Sequence, residues 1–248
     1  MRKSSSGVVD LLKTIAFAVL IAFGIRTIAF EPFNIPSGSM IPTLLIGDYL
    51  FVSKFSYGYS TYSLPYGFNL FAGRIMFREP QRGDVAVFKL PRDNKTDYIK
   101  RIIGLPGDKV QMKDGVLHIN GQPVKRERIE DFLDTDSGIT VSRPQYIETL
   151  PNGRAHRIIE ILGDTGSYDN TREFEVPPGN YFMMGDNRDN SLDSRVSARD
   201  GGVGMVPADN LVGRAEFLFF STDQTASLFE FWKWPLATRY ERIFQGIW

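Results

Sequence analysis

Hydrophobic and polar positions divide the chain into two unlike parts. Residues 8–30 are mostly apolar, and residues 14–25 within them carry no charge. That uncharged run is shorter than the roughly 20 residues that cross a bilayer. Lys13 and Arg26 stand near its two ends, where long side chains can extend to the membrane surface. The pattern therefore predicts one N-terminal transmembrane helix.

Two other interpretations of this segment are weaker. A cleaved signal peptide would end in a small-x-small site, but Glu31-Pro32-Phe33 follows directly, so we expect a retained anchor. A buried core helix would need a comparable helical partner later in the chain, and the pattern predicts none. Arg2 and Lys3 precede the apolar segment. The positive-inside tendency then places the N-terminus in the cytoplasm and residues 31 onward outside.

After residue 31 the apolar positions come in short runs that end at Gly, Pro, Asn and Asp, which is typical of strands and turns. The clearest predicted strands are 48–52, 84–88 and 98–103. Residues 116–119 and 122–124 flank Asn120-Gly121, a pair that favours the type I′ turn of a β-hairpin. The fold class predicted is mainly β, with coiled antiparallel sheets forming a core.

Residues 125–175 are polar and charged with only weak alternation, which indicates an inserted, smaller β subdomain. The predicted division is 1–30 for the cytoplasmic N-terminus and anchor, 31–111 for the first part of the core, 112–180 for the insertion, and 181–248 for the rest of the core. The C-terminal tail is rich in aromatic side chains, which either lie at a membrane surface or cap the β core. They are Phe229, Phe231, Trp232, Trp234, Phe244 and Trp248.

The amino-acid composition limits the kinds of catalytic and binding site that the chain can form. The 248 residues include no Cys, which excludes a thiol nucleophile, a disulfide or a Cys-ligated metal. The formal net charge is zero, which argues against a nucleic-acid binder held by a basic field. The two histidines, His118 and His156, lie outside the motif-dense stretches. A nucleophilic serine needs a base, so lysine is the leading candidate.

The candidate nucleophile lies just beyond the predicted anchor. In Ile35-Pro36-Ser37-Gly38-Ser39-Met40-Ile41-Pro42, two prolines and a glycine favour a bent backbone that can expose a serine hydroxyl beside unpaired backbone N–H groups. An ordinary turn is the simpler interpretation of this motif alone.

The candidate base lies in a predicted strand. Successive side chains of a strand point to opposite faces of its sheet, so either Lys100 or Arg101 must lie on the less solvated face. Burial lowers the pKa of a lysine, whereas arginine keeps its proton. Lys100 extending to solvent from a strand edge is the competing interpretation.

A third stretch, residues 185–195, combines closely spaced Asp and Arg, which suggests a loop held by its own ion pairs. Asp189, Ser191 and Asp193 have the spacing of a calcium loop, but the positions that need Gly and Glu hold Ser194 and Asp200, so we reject a metal there. The functional interpretation is a scaffold on which Ser191 orients the lysine.

These three stretches, together with 82–88 and 104–108, resemble the conserved motifs of bacterial type I signal peptidases (leader peptidases). The resemblance is near-continuous over 31–54 and 82–110, returns over 181–195, and is weak between 125 and 175. It implies a Ser39 nucleophile, a Lys100 general base, and an oxyanion hole from the Ser37 hydroxyl and the Ser39 N–H. The supporting residues that it implies are Ser191, hydrogen-bonded to Lys100, a structural pair of Asp193 and Arg195, and Gly185, which leaves room near the lysine.

The resemblance also implies a substrate site and a location. Shallow apolar pockets would read small-x-small sequences in an extended signal peptide. Their lining would be Phe33, Ile35, Met40, Leu44, Leu50, Val87, Tyr98 and Ile99. The enzyme would need no cofactor or metal, and its partners would be signal peptides of secreted preproteins, the lipid bilayer and, transiently, the export machinery. It would lie in the bacterial cytoplasmic membrane, single-pass, with its catalytic part on the outer (periplasmic) side.

This chain differs from well-known members of that family in two respects: it has one apolar segment instead of two, and a shorter insertion without Cys. Two alternatives stay open from the sequence. One is a self-cleaving repressor-type protease with the same dyad, although such proteins carry an N-terminal DNA-binding domain. The other is a membrane-anchored β scaffold that binds exported peptides without cleaving them.

Overall fold

The structure is a computed structural model that describes residues 5–63, 73–136, 139–227 and 230–248. Its helices are α1 (Ser5–Ile28) and α2 (Trp234–Ala237). Its strands are β1 (Phe30–Asn34), β2 (Asp48–Ser53), β3 (Tyr59–Ser60), β4 (Arg74–Ile75), β5 (Val85–Lys89), β6 (Asp97–Gly104), β7 (Lys109–Lys113), β8 (Val116–Ile119), β9 (Gln122–Pro123), β10 (Lys125–Arg128), β11 (Phe132–Asp136), β12 (Ile139–Arg143), β13 (Gln145–Thr149), β14 (Ala155–Ile159), β15 (Phe174–Glu175), β16 (Asn180–Met184), β17 (Val206–Pro207) and β18 (Leu211–Ser221).

The predicted N-terminal helix is present as α1. At about 1.5 Å per residue, its 24 residues are long enough to cross the hydrocarbon core of a bilayer. Its apolar part, Gly7–Ile28, is not buried against the rest of the described protein, unlike the core helix considered as an alternative. Lys13 lies 3.8 Å from Asp10 and Arg26 lies 3.4 Å from Glu31, so its charged side chains have partners near both ends.

The centre of the protein is a seven-stranded antiparallel sheet in the order β1-β2-β18-β5-β6-β16-β17. The long strand β18 shifts register against both β2 and β5. Such bulges bend a strand and increase its twist, which lets the sheet curl. The predicted fold class, a mainly β protein of coiled antiparallel sheets behind one apolar helix, is confirmed.

The local strand predictions also agree with the structure. Segments 48–52, 84–88 and 98–103 fall within one residue of β2, β5 and β6 at each boundary. The predicted hairpin is β8 and β9. Asn120 and Gly121 have φ angles of 53° and 77°, the positive values that a type I′ turn requires.

Residues between β6 and β16 build separate small sheets. These are β15-β7-β8-β9, β10-β13-β14 and β11-β12. A shared hydrophobic cluster joins the β15-β7-β8-β9 sheet to the large sheet, because Ile103, Phe182 and Met184 pack with Val110 and Leu117. The exact division into 1–30, 31–111, 112–180 and 181–248 stays a prediction.

The aromatic tail does not cap the core, which was one of the two expectations for it. Its side chains are 44–83% exposed where they are described, namely at Phe231, Trp232, Trp234, Phe244 and Trp248. Phe229 lies outside the described residues. Ile247, not one of the aromatics, enters the core cluster. Contact of the tail with lipid remains a prediction.

Candidate active site

The serine motif lies in the connection between β1 and β2. Backbone hydrogen bonds close the base of this loop, from Ile35 N to Asp48 O at 2.8 Å and from Gly47 N to Ile35 O at 3.0 Å. Gly38–Met40 forms one 3₁₀ turn, and Met40 and Leu44 are fully buried in the core beneath it. Burial of these two side chains fixes the position of the turn on the sheet.

A second segment holds the same turn from the other side. Asn187 donates its backbone N–H to Ser39 O at 3.2 Å and its side-chain amide to Gly38 O at 3.0 Å. Thr43 donates its hydroxyl to Asp186 at 2.6 Å. These tethers were not predicted from the sequence. The only signal for them was the position of Asp186-Asn187 directly after Gly185, in the motif already selected.

The structure places Lys100 beside Ser39. Lys100 lies on β6, which is flanked by β5 and β16, so it is on an interior strand of the sheet. Its side chain is buried, with only 3% of the residue exposed. The Lys100 Nζ atom lies 2.6 Å from Ser39 Oγ and donates to Ile99 O at 3.0 Å. The alternative of a lysine extending to solvent from a strand edge is therefore wrong.

Arg101 is buried as well, although the alternation required only one of the two cations to be inside. Its guanidinium donates two hydrogen bonds to Asp186, at 2.8 and 2.7 Å, and one to Gly83 O at 2.8 Å. A permanent charge needs such a carboxylate partner when it is removed from water. The neighbouring Lys100 amine instead contacts two uncharged oxygen atoms.

Burial of the Lys100 amine beside uncharged oxygen atoms determines its protonation state. Burial lowers the pKa of Lys100 from 10.5 to about 8, against an opposing effect of the Asp193 and Asp186 carboxylates. Arg195 adds to the lowering. At pH 7, about a tenth of such an amine is neutral, which is enough for a general base.

Asp193 and Arg195 form the expected pair. Arg195 donates to both carboxylate oxygens of Asp193, at 2.9 and 2.8 Å, and Asp193 also accepts the Gly185 N–H at 3.0 Å. Burial alone would raise the pKa of Asp193, but Arg195 and the backbone donors hold it below its usual range. The pair therefore fixes the loop that carries Ser191.

Ser191 requires a correction. Its Oγ is buried and makes no hydrogen bond to any residue that the structure describes, so the expected hydrogen bond to Lys100 is absent. The lysine instead contacts Ser39 and the strand backbone. A Cβ atom on Gly185 would lie 2.3 Å from Ser191 Oγ and 2.4 Å from Ser39 O, so Gly185 makes room for these two serines.

The dyad opens onto a cavity of about 730 Å³. Five of the eight predicted pocket residues line it, namely Phe33, Ile35, Val87, Tyr98 and Ile99. Met40, Leu44 and Leu50 do not; they are fully buried in the hydrophobic cluster beneath the cavity. Ser37 also lines the cavity, and its hydroxyl does not cap the 3₁₀ turn that follows. Lining residues that the sequence analysis missed are Asn34, Pro36, Thr96, Asp97, Tyr168, Asp189, Asn190 and Leu192.

Neither histidine belongs to this cavity wall. His156 is buried, 3.4 Å from Glu148 and 3.9 Å from Asp186, and burial followed by the charge of Arg101 lowers its pKa. His118 lies on β8 with its Nδ1 3.0 Å from Val116 O. The lysine is thus the titratable base in contact with the serine hydroxyl.

Comparison with known proteins identifies the family. Residues 8–220 match the family described as "Signal peptidase, peptidase S26". The chain belongs to this family. A protein named Signal peptidase I from Rickettsia typhi is 40% identical, with 99% of this chain and 96% of the relative aligned. The Signal peptidase I of Rickettsia akari is 45% identical over 84% of this chain and 77% of its own.

Among solved structures, a signal peptidase I from Enterococcus faecalis is 28% identical, with a TM-score of 0.32, and the match covers 55% of this chain and 97% of that chain. Family membership confirms the resemblance noted in the sequence and makes this chain a serine peptidase. A scaffold that only binds peptides is therefore excluded, and relatives named Signal peptidase I disfavour the repressor-type protease. The apolar N-terminal helix fits a membrane-anchored enzyme.

Proposed function

We propose that this protein removes N-terminal signal peptides from exported preproteins with a Ser39–Lys100 dyad. The observation that carries the proposal is the 2.6 Å contact between Lys100 Nζ and Ser39 Oγ at a cavity lined by apolar side chains. A buried lysine whose pKa is lowered to about 8 can take the serine proton near neutral pH. The identities of the nucleophile and the base are inferred from this geometry and from the family motif.

The reaction would proceed in two halves. Ser39 Oγ attacks the scissile carbonyl while the neutral Lys100 amine accepts its proton, and the Ser37 hydroxyl and the Ser39 N–H stabilise the oxyanion. The Lys100 ammonium then gives that proton to the leaving amine, and an acyl-enzyme remains. In the second half, Lys100 takes a proton from water as the water attacks the ester, and then returns it to Ser39 Oγ as the new carboxylate forms.

The cavity supports selection of small residues before the scissile bond. Phe33, Ile35, Val87, Tyr98 and Ile99 give it apolar walls at the dyad. An extended peptide bound there presents alternate side chains to one wall, so two small residues separated by one would be read together. The substrate is accordingly a small-x-small sequence in a signal peptide.

The location proposed is the bacterial cytoplasmic membrane, with one span and the catalytic part on the outer, periplasmic side. Arg2 and Lys3 before the apolar helix support a cytoplasmic N-terminus. This orientation brings the dyad to the side where signal peptides emerge. The lipid bilayer and, transiently, the export machinery are the partners that this placement requires.

Alanine substitution tests the dyad. Full-length Ser39→Ala and Lys100→Ala proteins in detergent micelles should lose preprotein cleavage by at least about 10³-fold, as expected when a nucleophile or its base is removed. Both should keep the circular dichroism spectrum of the wild type. Lys113→Ala, at an exposed lysine, is the matched control and should cleave normally. Wild-type rates in either dyad variant would reject the mechanism.

A substrate series tests the specificity. Preproteins with Ala at the first and third positions before the cleavage site should be cleaved, and Phe at either position should abolish cleavage. Equal rates with Ala and Phe would contradict selection by the apolar cavity, whatever the result of the dyad experiment.

A further inference from the structure

Three carboxylates converge beside the active-site cavity from segments that are distant in the sequence. They belong to Glu160 and Asp169, in the region between β14 and β15, and to Asp189, in the active-site loop. One oxygen of each lies within 4.8 Å of the others. The proposed mechanism uses none of the three.

The strongest observation is the state of Glu160. The residue is completely buried, and neither of its carboxylate oxygens has a hydrogen-bond partner in the described part of the chain. Arg126 Nη1 lies 3.7 Å from Glu160 Oε1, too far for a hydrogen bond, and Arg126 instead donates to Gly115 O and to Asp164. A buried carboxylate that accepts no hydrogen bond is costly and requires an explanation, even with the charge of Arg126 nearby.

Asp169 and Asp189 each also have a carboxylate oxygen that accepts no hydrogen bond from the described residues. Asp169 is fully buried, and its Oδ1 has no hydrogen-bond partner among the described residues, while its Oδ2 accepts the Gly166 N–H. Asp189 uses Oδ2 to accept the Leu162 N–H at 2.7 Å, and its Oδ1 has no hydrogen-bond partner within residues 5–63, 73–136, 139–227 and 230–248. Each residue therefore keeps at least one free oxygen for a ligand.

The backbone makes room for this convergence at Gly166. A Cβ atom there would lie 2.0 Å from Asp189 Oδ1 and 3.1 Å from Asp169 Oδ2. No larger residue fits without moving the carboxylates. Arg188 makes its hydrogen bonds to Glu148, and Arg195 makes its own to Asp193 and to Arg188 O, so neither arginine is hydrogen-bonded to the cluster. Burial raises the pKa of Glu160, and the positive charge of Arg188 nevertheless opposes this rise.

We propose that Glu160, Asp169 and Asp189 bind one Ca²⁺ ion, which ties the region before β15 to the active-site loop. Calcium prefers carboxylate oxygens at about 2.3–2.6 Å, so ligands on opposite sides of the ion lie up to about 5 Å apart. Mg²⁺ demands near-ideal octahedral geometry and usually keeps several waters, so a buried cluster of three carboxylates suits it less well. This site differs from the rejected 189–200 loop, since two of its three ligands lie elsewhere in the chain.

The consequence for the enzyme is local. Asp189 and Tyr168, the residue before Asp169, both line the active-site cavity, and Ser191 follows two residues after Asp189. A cation bound to Asp169 and Asp189 would hold these two parts of the cavity wall together. Burial also raises the pKa of Glu160 to about 8, with Asp189 and Asp169 adding to the effect, so a shared proton is the competing way to satisfy the cluster.

The test uses the full chain in detergent micelles, stripped of metal with a chelator. At Ca²⁺ about ten times its dissociation constant, linkage predicts a rise in Tm of about 3–6 °C for a protein of this size. The same concentration of Mg²⁺ should give a smaller rise. Tb³⁺, a luminescent probe for calcium sites, should bind and be displaced by Ca²⁺, and we expect Tyr168, the residue before Asp169, to sensitise its emission.

Glu160→Gln decides between the cation and the proton. The variant keeps the shape of a protonated glutamate, so it should fold, but it should lose the Ca²⁺-dependent rise in Tm and the Tb³⁺ signal. Asp189→Asn should do the same. Glu173→Gln, which removes an exposed carboxylate paired with Lys109, is the matched control and should keep both responses.

A wild-type Tm that does not change up to about 10 mM Ca²⁺, above the weak range of known extracellular sites, would overturn the proposal and favour the shared proton. A Ca²⁺ response that survives in both Glu160→Gln and Asp189→Asn would place the ion elsewhere and also refute it. Because the readouts are Tm and luminescence, they do not depend on the proposed peptidase mechanism.

Discussion

Replacing Lys100 with methionine should abolish activity and make the protein more stable at low pH. Methionine is unbranched and of similar length, so it fits the buried site without a charge. The charged lysine is destabilised in the folded state, because burial lowers its pKa from 10.5 to about 8. Ser39→Ala lacks this electrostatic gain and serves as an inactive comparison.

The magnitude follows from the pKa difference. The gap between 10.5 and about 8 corresponds to ~3 kcal/mol of unfolding free energy, at about 1.4 kcal/mol per pKa unit. Losing the contacts of the Lys100 amine with Ser39 and Ile99 costs ~1–2 kcal/mol. We therefore expect Lys100→Met to be ~1–2 kcal/mol more stable than wild type at pH 6.

The direction in which wild-type stability changes with pH follows from the lowered pKa of Lys100. Because the folded pKa lies below the unfolded one, the unfolded chain binds more protons between pH 8 and pH 10.5, and wild-type stability rises with pH in that window. The variant lacks this contribution. Its advantage should be complete below pH 8 and should fall by ~3 kcal/mol by pH 11, where the wild type becomes the more stable protein.

Denaturant titrations of both proteins in the same micelles at pH 6, 8 and 11 measure this difference. Lys109→Met, at an exposed lysine whose side chain is 53% accessible, is the matched control and should show little change with pH. If Lys100→Met is less stable than wild type at pH 6, or if the difference does not change with pH, the lysine is not the desolvated base described here.

Three further predictions follow from the same site. The rate of preprotein cleavage should rise about tenfold per pH unit below about pH 8 and then level off, and a flat profile would contradict a lysine base. Gly185→Ala should lose activity, because its Cβ would meet active-site atoms at 2.3–2.4 Å, whereas Gly24→Ala, with nothing within 4 Å, should cleave normally. Asp186→Asn leaves buried Arg101 without its carboxylate and should lower the free energy of unfolding by ~3–5 kcal/mol, measured by denaturant titration. Glu173→Gln, which breaks an exposed ion pair, should lower it by less than ~1 kcal/mol. Equal losses in the two variants would refute the distinction between buried and exposed pairs.

The candidate dyad could be selected from the sequence because each member leaves a local signal. Ser39 lies in a proline-bounded turn directly after the apolar segment, and Lys100 interrupts an apolar strand. The hairpin at Asn120-Gly121 was equally local, since positive φ angles are a property of those two residues. In such cases a few residues that are adjacent in the sequence are enough to predict the local structure or chemistry.

Apolar character alone does not distinguish a cavity wall from the core beneath it, so three of the eight predicted pocket residues lie in the core instead. Ile35 and Val87 line the cavity, whereas Met40 and Leu50 lie in the same hydrophobic cluster without reaching it. Tyr168 was missed because it enters the cavity wall from the weakly patterned insertion. Which side of a layer a residue faces depends on strands that pair from distant parts of the chain.

The sequence by itself determined the apolar helix, the β character of the rest, the order of serine and lysine, and the family, since these depend on periodicity and motifs within short windows. Tertiary structure alone decided that Lys100 is buried with its Nζ 2.6 Å from Ser39 Oγ, and that Asp186 neutralises Arg101. It also left Ser191 without the expected hydrogen bond and brought Glu160, Asp169 and Asp189 together. Burial and charge pairing are sums over neighbours that are far apart in the chain, so no local pattern contains them.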